Sequence, residues 1–181
     1  MKATGIVRRI DDLGRIVIPK EIRRTLRIRE SDPLEIFTDR EGEIILKKYS
    51  PIGEMNTFAK QYAESLAQVS GRTALIADRD QFIAVSGGFK NVLGKSISKE
   101  LEDKLNKREI AVASKEEAGF IPITQDVTDD FMNEAISPII CEGDIIGGGV
   151  LIDNGEKGKM GEVEMKLIQS AAGFLGRQME Q

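Results

Sequence analysis

The sequence contains no histidine, no tryptophan and a single cysteine among its 181 residues. Without histidine, the Ser-His-Asp and Cys-His catalytic arrangements, histidine-ligated metal sites and a histidine pH switch are excluded. Cys141 has no second cysteine in the chain for a disulfide, which is typical of a protein in a reducing compartment. Most enzyme templates are therefore excluded, and we predict a protein that is not an enzyme and has no catalytic residue, metal site or known cofactor.

Long apolar runs are also missing. No stretch approaches the eighteen apolar residues that a membrane span needs, and Met1–Gly5 lacks the apolar segment of a secretory signal. We therefore expect a cytoplasmic protein with no membrane partner.

Charge is distributed unevenly along the chain. Residues 1–29 carry nine basic and three acidic side chains, a net +6, although the whole chain has a net charge of −4. Residues 1–50 together sum to +3, so the remaining 131 residues sum to −7. Seven of the nine basic residues are arginines, whose forked guanidinium matches phosphate and the edge of guanine. The pattern predicts a small basic domain that meets a polyanion and a larger acidic domain.

The basic region has a clear local pattern. Gly5–Ile10 and Arg15–Ile18 are rich in β-branched residues and predict two strands, joined by a tight turn over Asp11–Gly14. Pro19 ends the second strand and suits the first turn of a helix, predicted over Lys20–Leu26.

Two further strands, over 33–38 and 43–49, complete a unit of about fifty residues. A domain of this size rarely buries enough apolar surface alone without disulfides or a metal. We therefore predict that it folds as an obligate dimer.

The segment TGIVRRIDDLGRIVIPKEIRRTLRI, followed by DPLEIF and EGEIILKKY, resembles the head of the AbrB-type transition-state regulators across residues 1–50. The resemblance implies that two chains interleave their hairpins into one swapped-hairpin β-barrel that binds double-stranded DNA. Carried over by position, Arg8, Arg15, Arg23 and Arg24 match the DNA-contacting arginines of that family, and Arg9, Lys2 and Lys47 are further candidates.

The rest of the chain predicts an α+β domain. Residues 51–55, which follow the last strand and contain Pro51 and Gly53, are predicted to be a linker to a domain over 56–181. Apolar spacing predicts a helix over 54–69, strands over 73–77 and 81–85, a helix opened near Ser98, a strand over 119–123, a strand pair over 133–141 and 144–153, and a final helix over 162–179. Residues 107–119 are expected to be an irregular, exposed connection.

This order resembles a GAF-type sensor domain with an antiparallel sheet and flanking helices. The two-domain arrangement resembles sporulation-type transcription regulators, which implies a bacterial protein associated with the nucleoid.

Four smaller patterns each have a structural and a functional interpretation. The segment GFKNVLGKS over 88–96 resembles a phosphate-binding P-loop but has five residues between its glycines where that loop needs four, so a connection into a capped helix is favoured. Gly147, Gly148 and Gly149 lie within a strand pattern, which indicates either close packing against a helix or a ligand pocket. Asp126, Asp129 and Asp130 are expected to be a solvated loop rather than a cation site, and Cys141 a structural thiol.

The final helix has two apolar stripes, and the first helix of the same domain has a similar excess of apolar residues. Stripes that wide can cover their own sheet and still contact another chain. We predict that they join two dimers into a tetramer. The candidate contact residues are Phe58, Tyr62, Leu167, Phe174 and Leu175.

Two functions remain open from the sequence. The first is a DNA-binding transcription regulator, an activator, a repressor or both, whose second domain senses an unknown small molecule and drives tetramerisation. The alternative is a nucleotide- or other small-molecule-binding protein or hydrolase whose basic head binds another polyanion.

Overall fold

The computed structural model describes residues 5–54, 56–125 and 131–180. The chain divides into two compact units, Met1–Tyr49 and Ser50–Gln181. The predicted linker over 51–55 differs from what is found, because Pro51–Glu54 form a short helix, α2, and Ile52 is buried in the core of the second unit. The second unit therefore begins before the predicted linker ends.

The N-terminal unit contains helix α1 over Lys20–Thr25 and a hairpin of strands β1, Leu34–Thr38, and β2, Ile44–Lys48. The two strands are antiparallel, with Ile36 opposite Leu46. The Asp39 carboxylate fixes their turn by accepting the N–H groups of Glu41 and Glu43 at 3.0 and 2.8 Å. Sequence reasoning placed all three elements, with shifts of one residue or so at their ends.

The strands predicted over 5–10 and 15–18 do not form in the single chain. Both segments are irregular, although the turn between them is present, with the Asp11 N–H donating to the Arg15 carbonyl at 3.0 Å. A strand exists only when a neighbour accepts and donates its backbone hydrogen bonds. The two segments therefore remain irregular because the single chain places no neighbouring strand beside them.

The C-terminal unit is built on a five-stranded antiparallel sheet in the order β4-β3-β7-β6-β5. Its strands are β3 Thr73–Asp78, β4 Phe82–Ser86, β5 Ala111–Ser114, β6 Asn133–Cys141 and β7 Asp144–Asp153, and its helices are α3 Asn56–Ser70, α4 Lys99–Asn106 and α5 Glu162–Gln178. No helix in the described part of the chain is long and apolar enough to cross a membrane.

Two sequence predictions for this unit are wrong in detail. Ala111–Ser114, expected to be irregular, is the edge strand β5, whose short apolar run pairs with β6 alone. Residues 119–123, suggested to be a strand, are irregular and end in an isolated bridge between Thr124 and Ile97. Short segments at a sheet edge carry too few residues for a period-2 pattern to be distinctive.

Both faces of the sheet are covered. On one face, helices α3 and α5 bury apolar residues such as Ala63, Ile168 and Leu175 against Ile76 and Leu151. On the other face, α4 and the connecting segments pack against the sheet through Leu101, Leu105, Val92, Ile123 and Phe131.

The triple glycine of β7 makes this close packing possible. A Cβ atom on Gly148 would lie 2.6 Å from the Leu105 side chain of α4, and one on Gly149 would lie 2.9 Å from the Ile168 side chain of α5. A Cβ atom on Gly147 would lie 2.1 Å from the Ala77 carbonyl of the neighbouring strand. The glycines are therefore required for close approach on both faces of the sheet.

A buried ionic network joins the ends of the strands to the start of α5. The Arg72 guanidinium pairs with Asp153 and also donates to Glu164 at 3.2 Å. Asn133 donates to Asp153 at 2.8 Å, and its side-chain oxygen accepts the Ser114 hydroxyl at 2.8 Å. Burial opposes ionisation of Glu164, but hydrogen bonds from the Gly161 N–H and from Arg72 outweigh it and hold its pKa below the ordinary value. The network thus ties β3, β5, β6, β7 and α5 together.

We expect Arg72→Leu to destabilise the C-terminal unit by about 3–5 kcal/mol, because the buried Asp153 carboxylate would lose its cation. The matched control is Arg177→Leu on the exposed side of α5, which should change stability by no more than about 0.5 kcal/mol. Urea unfolding of both variants measures the difference. Equal stability of the two variants would contradict the role given to Arg72.

Candidate nucleic-acid interface and body surfaces

The basic side chains proposed for DNA contact are exposed wherever the structure describes them. Arg8, Arg9, Arg15, Arg23, Arg24 and Lys47 all lie at the surface of the N-terminal unit. Lys2 lies outside the described residues. Exposed guanidinium groups are available to phosphate oxygens and base edges, which is the first requirement for these roles.

Arg15 is held by the turn that precedes it. The Asp11 carboxylate accepts the N–H groups of Leu13 and Arg15 at 3.0 and 2.7 Å, and pairs with the Arg15 side chain at 2.9 Å. The hydrogen bond from the Arg15 N–H is the main cause that lowers the pKa of Asp11. Asp11 therefore orients Arg15 and remains ionised beside it.

Arg23 and Arg24 lie in the last turn of α1. The helix ends with the Ile28 N–H donating to the Arg23 carbonyl at 2.8 Å, and the Arg27 N–H donating to the Arg24 carbonyl at 3.3 Å. Arg27 has φ of +51°, the left-handed conformation of a Schellman ending in which glycine is the usual residue. In this ending the backbone carbonyls of Arg23 and Arg24 accept hydrogen bonds, and the two side chains remain on the surface.

The N-terminal unit lacks an apolar core of its own. Among its described residues no large apolar side chain is buried, and Val7 and Val17 are 87% and 73% exposed. Other exposed apolar residues are Ile6, Ile10, Leu13, Ile16, Leu26, Ile36, Phe37, Ile44, Ile45, Leu46 and Tyr49. So much exposed apolar surface on a unit this small is typical of a surface that another chain covers.

The body presents an aromatic cluster on α3 and α5. Phe174 stacks on Phe58 and Tyr62, with ring centroids 5.9 and 5.3 Å apart, and remains 37% exposed. Leu167, on the same helix as Phe174, is half-buried against the domain core, and burial raises the pKa of Tyr62. Leu175 differs from the prediction: it is only 2% exposed and fills the domain core, so it is not part of the available surface.

The P-loop-like segment is not arranged as an anion site. The Gly88 N–H donates to the Thr73 hydroxyl at 2.9 Å, and the Gly94 N–H donates to the Phe82 carbonyl at 2.8 Å. The Lys95 N–H donates to the Val92 carbonyl at 3.0 Å, and Val92 is buried. Amides that a phosphate would need are already bonded within the protein, so this segment gives the hydrolase alternative no support.

The remaining candidates from the sequence are the three glycines of β7, Cys141 and the aspartates at 126, 129 and 130. Gly147–Gly149 are overlain by neighbouring backbone and by Leu105 and Ile168, which corresponds to the close-packing interpretation; their ligand role stays a prediction. The pKa of Cys141 is raised by burial and by nearby carboxylates, which makes the thiol less reactive. Asp126, Asp129 and Asp130 lie outside the described residues.

One acidic group within the described residues has the spacing of a cation site. Carboxylate oxygens of Asp39, Glu41 and Glu43 lie within 4.8 Å of one another. The group is at the turn between β1 and β2, where Asp39 already binds two backbone N–H groups. The turn between β1 and β2 is therefore enough to explain why these three carboxylates lie close together.

Sequence reasoning missed Glu134. This carboxyl lies in β6 with no solvent exposure, in the segment NEAISPII, most of whose following residues are apolar. The available signal was a charged residue at a strand position whose neighbours two residues apart are apolar, which is a buried position in a two-sided sheet.

Comparison with known proteins agrees with the division into two units. Residues 54–180 match the family described as stage V sporulation protein T C-terminal, transcription factor. Residues 7–54 match the family described as antidote-toxin recognition MazE, bacterial antitoxin.

The chain is also similar to solved GAF domains. It matches the GAF domain of an Acinetobacter phosphoenolpyruvate-protein phosphotransferase with a TM-score of 0.55 and 11% identity, over 69% of this chain and 81% of that one. The second GAF domain of DevS from Mycobacterium smegmatis matches with a TM-score of 0.54 and 10% identity, over 68% and 91% of the two chains. At such identities the similarity establishes a GAF-like fold alone.

Sequence similarity to two proteins of Bacillus subtilis is much stronger. The transition state regulatory protein AbrB of Bacillus subtilis is 67% identical over 51 residues, which are 28% of this chain and 52% of that protein. The stage V sporulation protein T of Bacillus subtilis is 55% identical over 182 residues, covering both chains completely. The chain therefore belongs to the stage V sporulation protein T family of transcription factors, with an AbrB-like N-terminal unit and a GAF-like body.

Proposed function

We propose that the protein is a sporulation-type transcription regulator that binds double-stranded DNA through a dimer of its N-terminal units. The observation that carries the proposal is the exposed arginine set on a unit whose apolar residues are uncovered. Two chains would interleave residues 5–18 into one swapped-hairpin barrel, giving each segment the strand partner it lacks in a single chain. The barrel would then carry two copies of Arg8, Arg15, Arg23 and Arg24, with Arg9, Lys2 and Lys47 as further contacts.

The body would serve assembly and sensing. Phe58, Tyr62, Leu167 and Phe174 would contact the same surface of a second dimer, giving a tetramer, and a small molecule bound in the GAF-like domain would alter the spacing of the two barrels. A family of transcription factors favours a protein without catalytic activity that works in the cytoplasm, associated with the nucleoid.

We expect Arg23→Ala and Arg24→Ala each to weaken binding to a duplex selected from random sequence. A lost base contact costs about 1–3 kcal/mol, and a lost phosphate contact lowers the salt dependence of affinity by about one ion. Arg40→Ala is the matched control, because Arg40 is exposed on the same unit at the β1–β2 turn and is not a proposed contact. Affinity measured across a salt series, with circular dichroism as the folding check, tests the pair. Wild-type affinity in both helix variants would contradict the interface.

We expect residues 1–50 to be folded only as a dimer, because most of the large apolar side chains described there are uncovered in a single chain. Sedimentation and circular dichroism across a dilution series should show that dissociation and unfolding coincide. Val17→Asp should shift both transitions to higher protein concentration, whereas Glu41→Gln at the exposed turn should not. A folded monomer at low concentration would contradict the interleaved barrel.

We expect Phe174→Glu to convert a tetramer into dimers, since a carboxylate buried without a partner is strongly unfavourable. Gln169→Glu is the matched control, because it adds a carboxylate to the same helix about 140° around its axis from Phe174. Leu175→Glu is unsuitable, as it would disrupt the domain core. Light scattering gives the assembly state.

The same variants test how assembly affects DNA binding. The Phe174→Glu dimer should bind a short duplex as the wild type does but a long duplex more weakly, because separated barrels lose the gain in effective concentration. A tetramer that survives Phe174→Glu would place the aromatic cluster outside the interface.

A further inference from the structure

Glu134 is a buried carboxyl group among the apolar residues of the body. Its register in the sheet pairs it with Ala113 of β5 on one side and with Ile152 of β7 on the other. Ile136, two residues further along β6, and Ile152 both belong to the apolar cluster covered by α4 and the connecting segments. The alternation of a strand therefore places Glu134 on that same face of the sheet, away from α3 and α5.

The two oxygens of Glu134 have different surroundings. Oε1 accepts the Ile121 N–H at 3.0 Å. Oε2 is buried and has no hydrogen-bond partner within the described residues. A buried polar atom without a partner costs free energy, and such atoms are uncommon in native proteins. Such an atom either stores strain or is satisfied by a bound group, such as an ordered water, an ion or a ligand.

The surroundings of the carboxyl favour its neutral form. Burial is the main cause, and it raises the pKa of Glu134 to about 8 in spite of opposing effects from the Ile121 N–H and the Lys104 charge. Lys104, on α4, is also 3.9 Å from Glu109. The facing residues of β5 and β7 are uncharged, and Glu117, close to the covering segment in sequence, pairs with Lys159 at 3.0 Å. A protonated Glu134 offers an Oε2–H donor beside the Oε1 acceptor.

We propose that Glu134 anchors a small neutral effector that carries an amide, lying between the sheet and the segment 119–123. The Oε2–H would donate to the carbonyl of the ligand, and the N–H of the ligand would donate to the second lone pair of Oε1. This proposal rests on the sensory role proposed for the body and names the chemical class of the molecule that the body would sense.

The surroundings favour a neutral ligand over a cation. Burying an ammonium group in an apolar cluster is costly, and Lys104 already places positive charge near this carboxyl. Phe120 and Phe131, with ring centroids 4.9 Å apart, belong to the apolar surroundings, and the peptide that follows Phe120 is the one that donates to Glu134. These residues suit a ligand with an apolar or aromatic body.

The covering segment is linked to α4. The Ser98 N–H donates to the Ile123 carbonyl at 2.9 Å, and the Ser98 hydroxyl oxygen caps α4 by accepting the Leu101 N–H at 2.9 Å. A ligand on Glu134 would therefore act on a segment that is joined to the start of a helix. This gives the occupied state a route to the rest of the domain.

The test uses the full chain with benzamide and benzylammonium, which share a ring and differ in their polar group. Binding is measured by calorimetry between pH 6 and 9.5, and by the NMR shift of the Ile121 amide. Benzamide should bind with constant affinity below about pH 7, and its affinity should fall about tenfold per pH unit well above pH 8, as the acid loses its proton. Benzylammonium should bind more weakly throughout.

Two variants separate the chemistry from the fold. Glu134→Gln keeps an acceptor and a donor in the same places, so it should retain benzamide binding and lose its pH dependence. Glu134→Leu should lose affinity by about tenfold or more. Glu117→Gln is the control, since this carboxyl is exposed, and it should behave as the wild type.

Several results would overturn the proposal. These are no benzamide binding to the wild type, equal binding by the Glu134→Leu variant, or a benzylammonium affinity that exceeds that of benzamide and rises with pH. The last result would assign an ion-paired ligand to Glu134 instead. DNA affinity of the wild type is measured separately, without either probe. Loss of the regulatory proposal would therefore appear as absent DNA binding, independently of what happens at Glu134.

Discussion

The body depends on one constraint, which is that its sheet is apolar on both faces. All six residues of the central strand β3 are buried, whereas many antiparallel sheets leave one face in water. Each face must therefore be covered, by α3 and α5 on one side and by α4 with its connecting segments on the other. The glycines of β7 follow from the same constraint, because any larger residue at 148 or 149 would push these covers away.

The two covers have different functional consequences. Helices α3 and α5 bury Leu175 and Ile168 and still leave Phe174 partly exposed beside Phe58 and Tyr62, which is the surface proposed for assembly. The opposite cover encloses Glu134, whose second oxygen has no partner among the described residues. Assembly and ligand recognition are thus proposed for opposite faces of one sheet. The Arg72 network fixes the strand ends and the start of α5 with respect to each other.

The N-terminal unit differs from the body because its local backbone structure forms without a buried core. Its backbone turns and its helix are well formed, as the Asp11 and Asp39 turns and the ending of α1 at Arg27 demonstrate. Most of its large apolar side chains nevertheless remain exposed. Local hydrogen bonds can specify such a unit, but they contribute too little to stabilise it without a buried core. If the proposed dimer forms, its basic surface would be completed only by association, and assembly would then control DNA binding.

The sequence by itself determined what depends on neighbours along the chain. Glycine and aspartate specified the turn at 11–14, Ser98 specified the start of α4, and helical spacing specified α3 and α5, because these signals act over a few residues. Composition acted in the same direct way, since the absence of histidine excluded most catalytic arrangements and the excess of arginine indicated a polyanion partner.

Tertiary structure decided whatever depends on residues distant in sequence. The edge strand β5 exists because β6 pairs with it, and residues 5–18 remain irregular because the single chain supplies no strand beside them. Leu175 proved to be core and Phe174 surface, although both belong to apolar stripes of one helix, since the position of the sheet chooses between them. Glu134 became a candidate site only when register placed it between Ala113 and Ile152. Burial is a property of the packed chain, and a sequence pattern records it only where one face alone is buried.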